Sequence, residues 1–302
     1  MPLPEANIHQ EMRILVVPLD WGLGHAARML PVIRTLQQQG HTVGIGGGGK
    51  ALTLLKEELG DCQCVATFSS LRIRYARSSG QLTALLLQTP RVFLQLLLRR
   101  RKIIRAVKEW KPDAIIADNH PGLWLRDIKT IYVTHQVAPK ITLRESKLNV
   151  WATRIHRWII HRHNVLLIAD NPSGNAIAGE LANPVRLKLP VYHAGLLSRF
   201  SPTVVKPPNG VPAIVVLLSG PEPQRTLLEN LLIRQFKNDN RHIWFIRGMP
   251  QKEPLYAGTH IRFFAHLQGP ALNKILLHTP LIISRSGYST IMDLMRLRRS
   301  AV

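Results

Sequence analysis

The chain opens with a short apolar run over residues 13–18 and a glycine-containing turn over 20–25. Residues 26–39 follow, with apolar side chains at helical spacing that stop at Gly40. Residues 41–45 read as a second strand, followed by a glycine cluster and a helix over 51–59. Such alternation predicts a parallel sheet, because parallel strands need a long crossover rather than a hairpin. Apolar runs at 114–117, 130–133 and 165–168 predict three more strands, so one doubly wound domain covers roughly 12–200. Residues 201–212 hold four prolines and a glycine, a linker composition. The alternation then restarts with strand 213–218, turn 219–223, helix 224–236 and strand 242–246. Strands at 261–264 and 281–283 and a helix over 287–297 follow. The expected organisation is therefore two α/β domains, 1–200 and 213–302, joined by 201–212. Ala301 and Val302 would begin a further strand, which leaves the second sheet incomplete.

With 302 residues, 45% of them hydrophobic, the chain can build two cores of ordinary size. Charge changes the picture more. Forty Lys and Arg against 18 Asp and Glu give a formal net charge of +22, a field that favours nucleic acid, anionic lipid or phosphorylated substrates without choosing among them. Cys62 and Cys64 are too close for an easy disulfide and lack partners at zinc-finger spacing, which fits a reducing compartment. Residues 1–11 lack a secretory pattern, and the leucine-rich stretch 82–98 is broken by Gln88, Pro90, Arg91 and Gln95. A cytoplasmic protein is expected, free or peripheral on the inner face of the membrane. Residues 91–111 interleave eight cations, from Arg91 and Arg99 to Lys111, with leucines and isoleucines, and 140–163 sets Trp151 and Trp158 among Arg154, Arg157 and Arg162. Either stretch alone is explained by an ordinary core helix; two in one domain point to an anionic surface.

Several turns carry candidate chemistry. Ser284-Arg285-Ser286-Gly287-Tyr288-Ser289-Thr290 follows an apolar strand and opens a helix, a natural anion site. Arg285 can add fixed charge there, and Ser286, Ser289 and Thr290 hydroxyl donors; a diphosphate at the turn and a ribose on Asp293 is the ligand this suggests. Gly22-Leu23-Gly24-His25 lies at the first strand-to-helix turn, where glycines allow close approach and His25 projects into the crevice. Ser219-Gly220-Pro221-Glu222-Pro223-Gln224-Arg225-Thr226 is the equivalent turn of the second domain, with Gln224 and Arg225 placed to touch a phosphate. Gly44 to Lys50 matches much of a P-loop, but Ala51 replaces the magnesium-binding hydroxyl, so a flexible glycine turn is the expectation. Asp118-Asn119-His120 and Thr134-His135-Gln136 close apolar strands, where polar residues can meet an acceptor or orient a base.

Taken in order from residue 13 to 302, these motifs, with Gly195-Leu196-Leu197-Ser198-Arg199-Phe200, resemble GT-B glycosyltransferases of family 28. That family includes the enzyme completing the lipid-linked peptidoglycan precursor; the nearer likeness is to uncharacterised bacterial members. The resemblance implies two Rossmann-like domains facing a cleft, acceptor on the first and a nucleotide sugar, UDP-linked, on the second. It also implies inverting transfer of a hexosyl or hexosaminyl group, with no metal and no cofactor beyond the donor. By position His25 would be the general base. Arg285, Ser286, Gly287, Ser289, Thr290, Gly220, Gln224 and Arg225 would hold the diphosphate, and Asp293 the ribose. Phe264, Ala265 and His266 would lie beside the base, and Gly22, Gly24, Asn119 and His135 on the acceptor side. The family continues past the position of Val302 with a sugar-gripping loop, so a truncated frame is expected. The alternatives are a basic nucleic-acid-binding protein and a non-catalytic remnant of such an enzyme.

Overall fold

The computed structural model describes residues 10–69, 81–140, 146–172, 174–183, 187–203, 206–249 and 260–302. Its first sheet contains β1 (Arg13–Pro18), β2 (Thr42–Gly47), β3 (Gln63–Thr67), β4 (Ala114–Asp118), β5 (Lys129–Thr134), β6 (Val165–Ile168) and β7 (Val191–His193). The spatial order is β3-β2-β1-β4-β5-β6-β7, and every pairing is parallel. The second sheet, β8 (Ile214–Leu217), β9 (Ile243–Ile246), β10 (Ile261–Phe264) and β11 (Leu281–Ser284), runs β10-β9-β8-β11, again all parallel. Strand order reverses between β1 and β4 in one sheet and between β8 and β11 in the other. Open α/β sheets form their ligand crevices at such points, beyond the carboxyl ends of the strands.

Helices α1 (Leu23–Gln38), α2 (Gly49–Leu59), α3 (Gln81–Trp110) and α4 (Lys147–Ile160) accompany the first sheet, and α5 (Gln224–Gln235), α6 (Gly269–His278) and α7 (Tyr288–Leu297) the second. β1 and β4 are buried almost throughout, as expected of central parallel strands covered on both faces. Side chains alternate across the pleat. Leu15 and Val17 pack toward Ile103 and Trp110 of α3, whereas Ile14 and Val16 pack toward Met29, Leu30 and Ile33 of α1 and Leu54 and Leu55 of α2. Phe200 is part of the second sheet's core, with Val215, Ile246 and Leu294.

Two sequence expectations change, and the expected strand at the end of the second domain finds its first rung. The glycine run is not a flexible turn: Gly44 to Gly47 are strand residues of β2 and Gly49 starts α2. Glycine is required at 48 because a Cβ there would collide with the Phe68 carbonyl. Arg99 does not belong to an outward basic face; its guanidinium is buried and grips Asp20 at 2.6 and 2.9 Å, tying α3 to the loop after β1. Val302 lies along the edge of β11, accepting from Ser284 N–H at 2.9 Å and donating to Ile282 O at 3.0 Å, one rung of a parallel ladder.

Polar contacts fasten one sheet to the other. The Glu58 carboxylate on α2, 2% exposed, accepts from Gly269 N–H at the start of α6 (2.6 Å) and from Arg199 Nη1 (2.8 Å). A carboxylate suits a helix N-terminus electrostatically. Removing it leaves the Arg199 guanidinium buried and unpaired, so Glu58→Ala is expected to cost about 3–5 kcal/mol. Urea denaturation of the variant beside Glu58→Gln, which keeps an acceptor and should lose less, checks this.

Candidate functional site

The two reversal points face each other. The turns after β1, β8 and β11 bring the starts of α1, α5 and α7 around a cavity of about 360 Å³ lined by Gly22, His25, Lys50, Gly220, Glu222 and Tyr288, among others. Neither α1 nor α7 has a side-chain cap, so the unsatisfied N–H groups and the positive end of each helix dipole are left for a ligand. The α5 end differs, since Glu222 accepts from Thr226 N–H at 3.2 Å. With Lys50 at its side, the cavity favours an anion at the α1 and α7 ends.

Beneath it lies a buried cluster built on Arg28, which is 1% exposed. Arg28 sits one helical turn after His25 on α1, so the two side chains share a face. Its Nε lies 3.0 and 3.1 Å from the two carboxylate oxygens of Asp118, the last residue of β4, and its Nη2 also bonds Asp118 Oδ1. Nη1 donates to His135 Nδ1 at 2.8 Å. His25 Nδ1 faces Asp118 Oδ2 at 3.1 Å and Arg28 Nη2 at 3.0 Å. Burial and then Arg28 lower the His25 pKa below its ordinary 6.5, against the opposing pull of Asp118 and Asp20. Burial would raise the Asp118 carboxyl, but Arg28 and His25 outweigh it and the net direction is down. His135 is pushed to about 3 by burial and Arg28, so both imidazoles are neutral at pH 7.

His25 and His135 also border a second cavity of about 520 Å³, set between α3 and α4 and lined by Leu19, Trp21, Val92, Leu96, Asn119, Tyr132, Ile155 and Ile159. Its walls are mainly apolar. Asn119 reaches it from a left-handed conformation, φ 47°, at the end of β4, one that Asn tolerates better than most residues. The histidines thus stand where a polar, anion-attracting cleft meets an apolar chamber. On α3 and α4 themselves, Leu94, Leu97, Trp151 and Trp158 are exposed.

Neither a protein-family model nor a curated protein matches the sequence. Solved structures do match. The spinosyn rhamnosyltransferase SpnG complexed with thymidine diphosphate aligns with 96% of this chain and 80% of its own, at TM-score 0.57 and 17% identity. Arabidopsis thaliana UGT89C1 complexed with UDP-L-rhamnose covers 97% of this chain and 79% of its own, at 0.58 and 14%. The glycosyltransferase SnogD from Streptomyces nogalater gives 97% and 80%, at 0.57 and 16%.

The fold is GT-B. Within this GT-B frame the sequence-predicted residues separate into groups. Gly220, Gly287, Ser289 and Thr290 line the cleft between the two sheets with His25, Gly22 and Gly24. Gly22 and Gly24 are thus on the cleft side, Asn119 is in the apolar chamber, and His135 borders both. Gly24 serves closure: Ser289 Oγ donates to its carbonyl at 3.1 Å, and a Cβ at 24 would stand 2.6 Å from that oxygen. The Ser289 hydroxyl proton is therefore engaged across the interface instead of being offered to a phosphate.

Other expected ligands lie elsewhere. Arg285 sits behind the turn, its Nη1 donating to Ser219 O at 3.1 Å over the bare α-carbon of Gly220. Arg225 borders the cleft, but its guanidinium bonds Glu222 (2.6 Å), Glu229 (3.0 Å) and Thr226 (2.7 Å), so two carboxylates offset its charge. Asp293 accepts from Ser198 Oγ at 2.5 Å, and burial pushes its pKa up to about 6; it is not on the cleft lining. Ser286 is exposed and Gln224 opens α5, both off that lining. Phe264 packs on Trp244 at 4.7 Å, Ala265 O accepts from Met249 N–H at 2.7 Å, and His266 stands 4.0 Å from Glu57. In the sequence Lys50 carries no signal of its own, because the glycines before it resemble a turn, and neither does Arg28, a lone arginine within a helix.

Proposed function

We propose that the chain is an inverting glycosyltransferase of the family-28 kind. It would transfer a hexosyl or hexosaminyl group from a UDP-linked sugar to a hydroxyl of a lipid-linked or membrane-proximal acceptor. One observation carries the reading: the His25–Asp118 pair stands at the junction of an anion-attracting cleft and an apolar chamber. The nucleoside diphosphate ligands in two of the similar structures support the donor class.

The chemistry follows from that placement. With the His25 Nδ1 proton donated to Asp118, Nε2 keeps its lone pair and takes the proton from the acceptor hydroxyl. The acceptor oxygen forms a bond to the anomeric carbon as the bond from that carbon to the phosphate oxygen breaks. The electron pair leaves on the diphosphate. Helix ends aimed at that developing charge stabilise it without reorganising during the step. As proposed, the step uses no metal and no cofactor besides the donor. Release of UDP from UDP-N-acetylglucosamine or UDP-glucose, with water as surrogate acceptor, tests the activity; a purified, folded chain inert to both and unable to bind UDP removes the reading.

The acceptor side is proposed to rest against an anionic bilayer on the cytoplasmic face. Among the described residues no helix is long and apolar enough to cross a membrane. However, α4 exposes Trp151 (61%) and Trp158 (51%) among Arg154, Arg157 and Arg162, and contains no acidic residue. Trp beside cations favours a lipid interface over nucleic acid. Sedimentation with phosphatidylglycerol vesicles should be several-fold stronger than with phosphatidylcholine and should weaken in salt and in Trp151→Ala. Equal partition between the two lipids contradicts the membrane assignment. Tight RNA or DNA binding with a steep salt slope and no response to UDP favours the nucleic-acid alternative.

A further inference from the structure

Arg28 stands against Nδ1 of both His25 and His135, but only His25 Nδ1 also faces a carboxylate, Asp118 Oδ2 at 3.1 Å. Arginine has only donors, so a nitrogen whose one polar partner is arginine must present a lone pair, whereas His25 Nδ1 can donate to the Asp118 carboxylate it also faces. The 2.8 Å bond from Arg28 Nη1 therefore leaves His135 Nδ1 without a proton and, in the neutral ring, places the proton on Nε2. The ring has no other recorded hydrogen bond among the described residues. It stacks on Tyr288, centroids 4.0 Å apart and planes 15° apart, and Tyr288 Oη is anchored to the Ala169 carbonyl at 2.7 Å. Tyr288 is the first residue of α7, whose N–H groups open on the cleft. His135 is thus a rigid, oriented N–H donor beside the anion site, not a second base.

We propose that His135 donates its Nε2–H to a diphosphate oxygen of the nucleotide sugar, and that Arg28 is the positioning residue that fixes this tautomer. The proposal rests on the sugar-transfer reading and assigns the two histidines opposite tasks: His25 accepts a proton from the acceptor, and His135 holds charge on the departing group. The charged and titratable groups facing His135 are Arg28, His25, Asp118 and Asp170, with the hydroxyl of Tyr288. The low pKa of about 3 agrees, since His135 then remains a neutral donor across the whole working range.

Two measurements test it. In the 302-residue chain with ¹⁵N-labelled histidine, His135 should show a bare Nδ1 and a protonated Nε2 from pH 8 down to pH 5. Arg28→Lys, which keeps a cation beside Asp118, should release the tautomer into a mixture. The reverse tautomer in the wild type, or titration near pH 6.5, overturns the assignment. Calorimetry of UDP binding supplies the second test. His135→Gln can accept from Arg28 with Oε1 and donate with Nε2, and should stay within about threefold of wild type. His135→Met fills similar space without a donor and should bind about tenfold or more weakly, as a lost bond to a charged group requires. Equal UDP affinity of both variants and wild type overturns the donor role. Failure of every protein to bind UDP, with the NMR result intact, instead removes the sugar-transfer reading on which the role rests.

Discussion

His25→Ala is expected to slow release of UDP from UDP-N-acetylglucosamine by about 100- to 10,000-fold, the usual contribution of a positioned general base. UDP affinity should remain within a few-fold, because the base serves the acceptor oxygen and not the diphosphate. That split separates loss of chemistry from loss of the site. The pH profile adds a sign. Burial and Arg28 lower the His25 pKa from 6.5, while Asp118 and Asp20 act in the opposite direction. The base form therefore persists below pH 6.5, and kcat should fall only as pH drops through the lowered pKa. Asp118→Asn removes the group that raises His25 basicity, so its acid limb should move to still lower pH at a reduced plateau. An acid limb at or above pH 6.5, unchanged by Asp118→Asn, identifies some other group as the base.

Asp118→Ala is expected to cost about 3–5 kcal/mol of stability at pH 7, because it leaves the Arg28 guanidinium buried without its carboxylate. That is a large part of the 5–15 kcal/mol typical of a folded domain, as a rough scale. The carboxyl pKa is lower in the folded chain than its ordinary 3.8. The stability it contributes is therefore fully present above 3.8 and is lost as pH falls through the lowered folded value. Urea titrations at pH 7 and pH 3.5 check both points. The destabilisation of Asp118→Asn relative to wild type should shrink at the lower pH, and a gap that does not change with pH shows that the ion pair contributes nothing.

Strands were legible where burial on two faces demands continuous apolar runs. Ile14 to Val17, Ala114 to Ala117 and Ile214 to Leu217 are of this kind, and all lie at sheet centres. β3, with sequence QCVAT, and the three-residue β7 were not identified, because edge strands need bury little. The glycines of β2 mimicked a turn since their cause is external: Val65 and Trp110 fill the space a side chain at Gly44 would need, and Val17 crowds that at Gly46. In the site, the turn before α7 could be recognised from small residues after a strand, a local pattern. Pairings could not. Asp118 is 90 positions from Arg28, Ser198 is 95 from Asp293, and Ser289 is 265 from Gly24; only the folded sheets bring these partners together. That is why Arg285, Arg225 and Asp293 looked available to a nucleotide in the sequence and are engaged by protein groups in the fold.

Titration calorimetry of UDP into the 302-residue chain tests the central claim most directly. One saturable site is expected, competed by UDP-N-acetylglucosamine and retained in His25→Ala while that variant loses turnover. A chain that is folded by circular dichroism yet gives no saturable heat with UDP contradicts it.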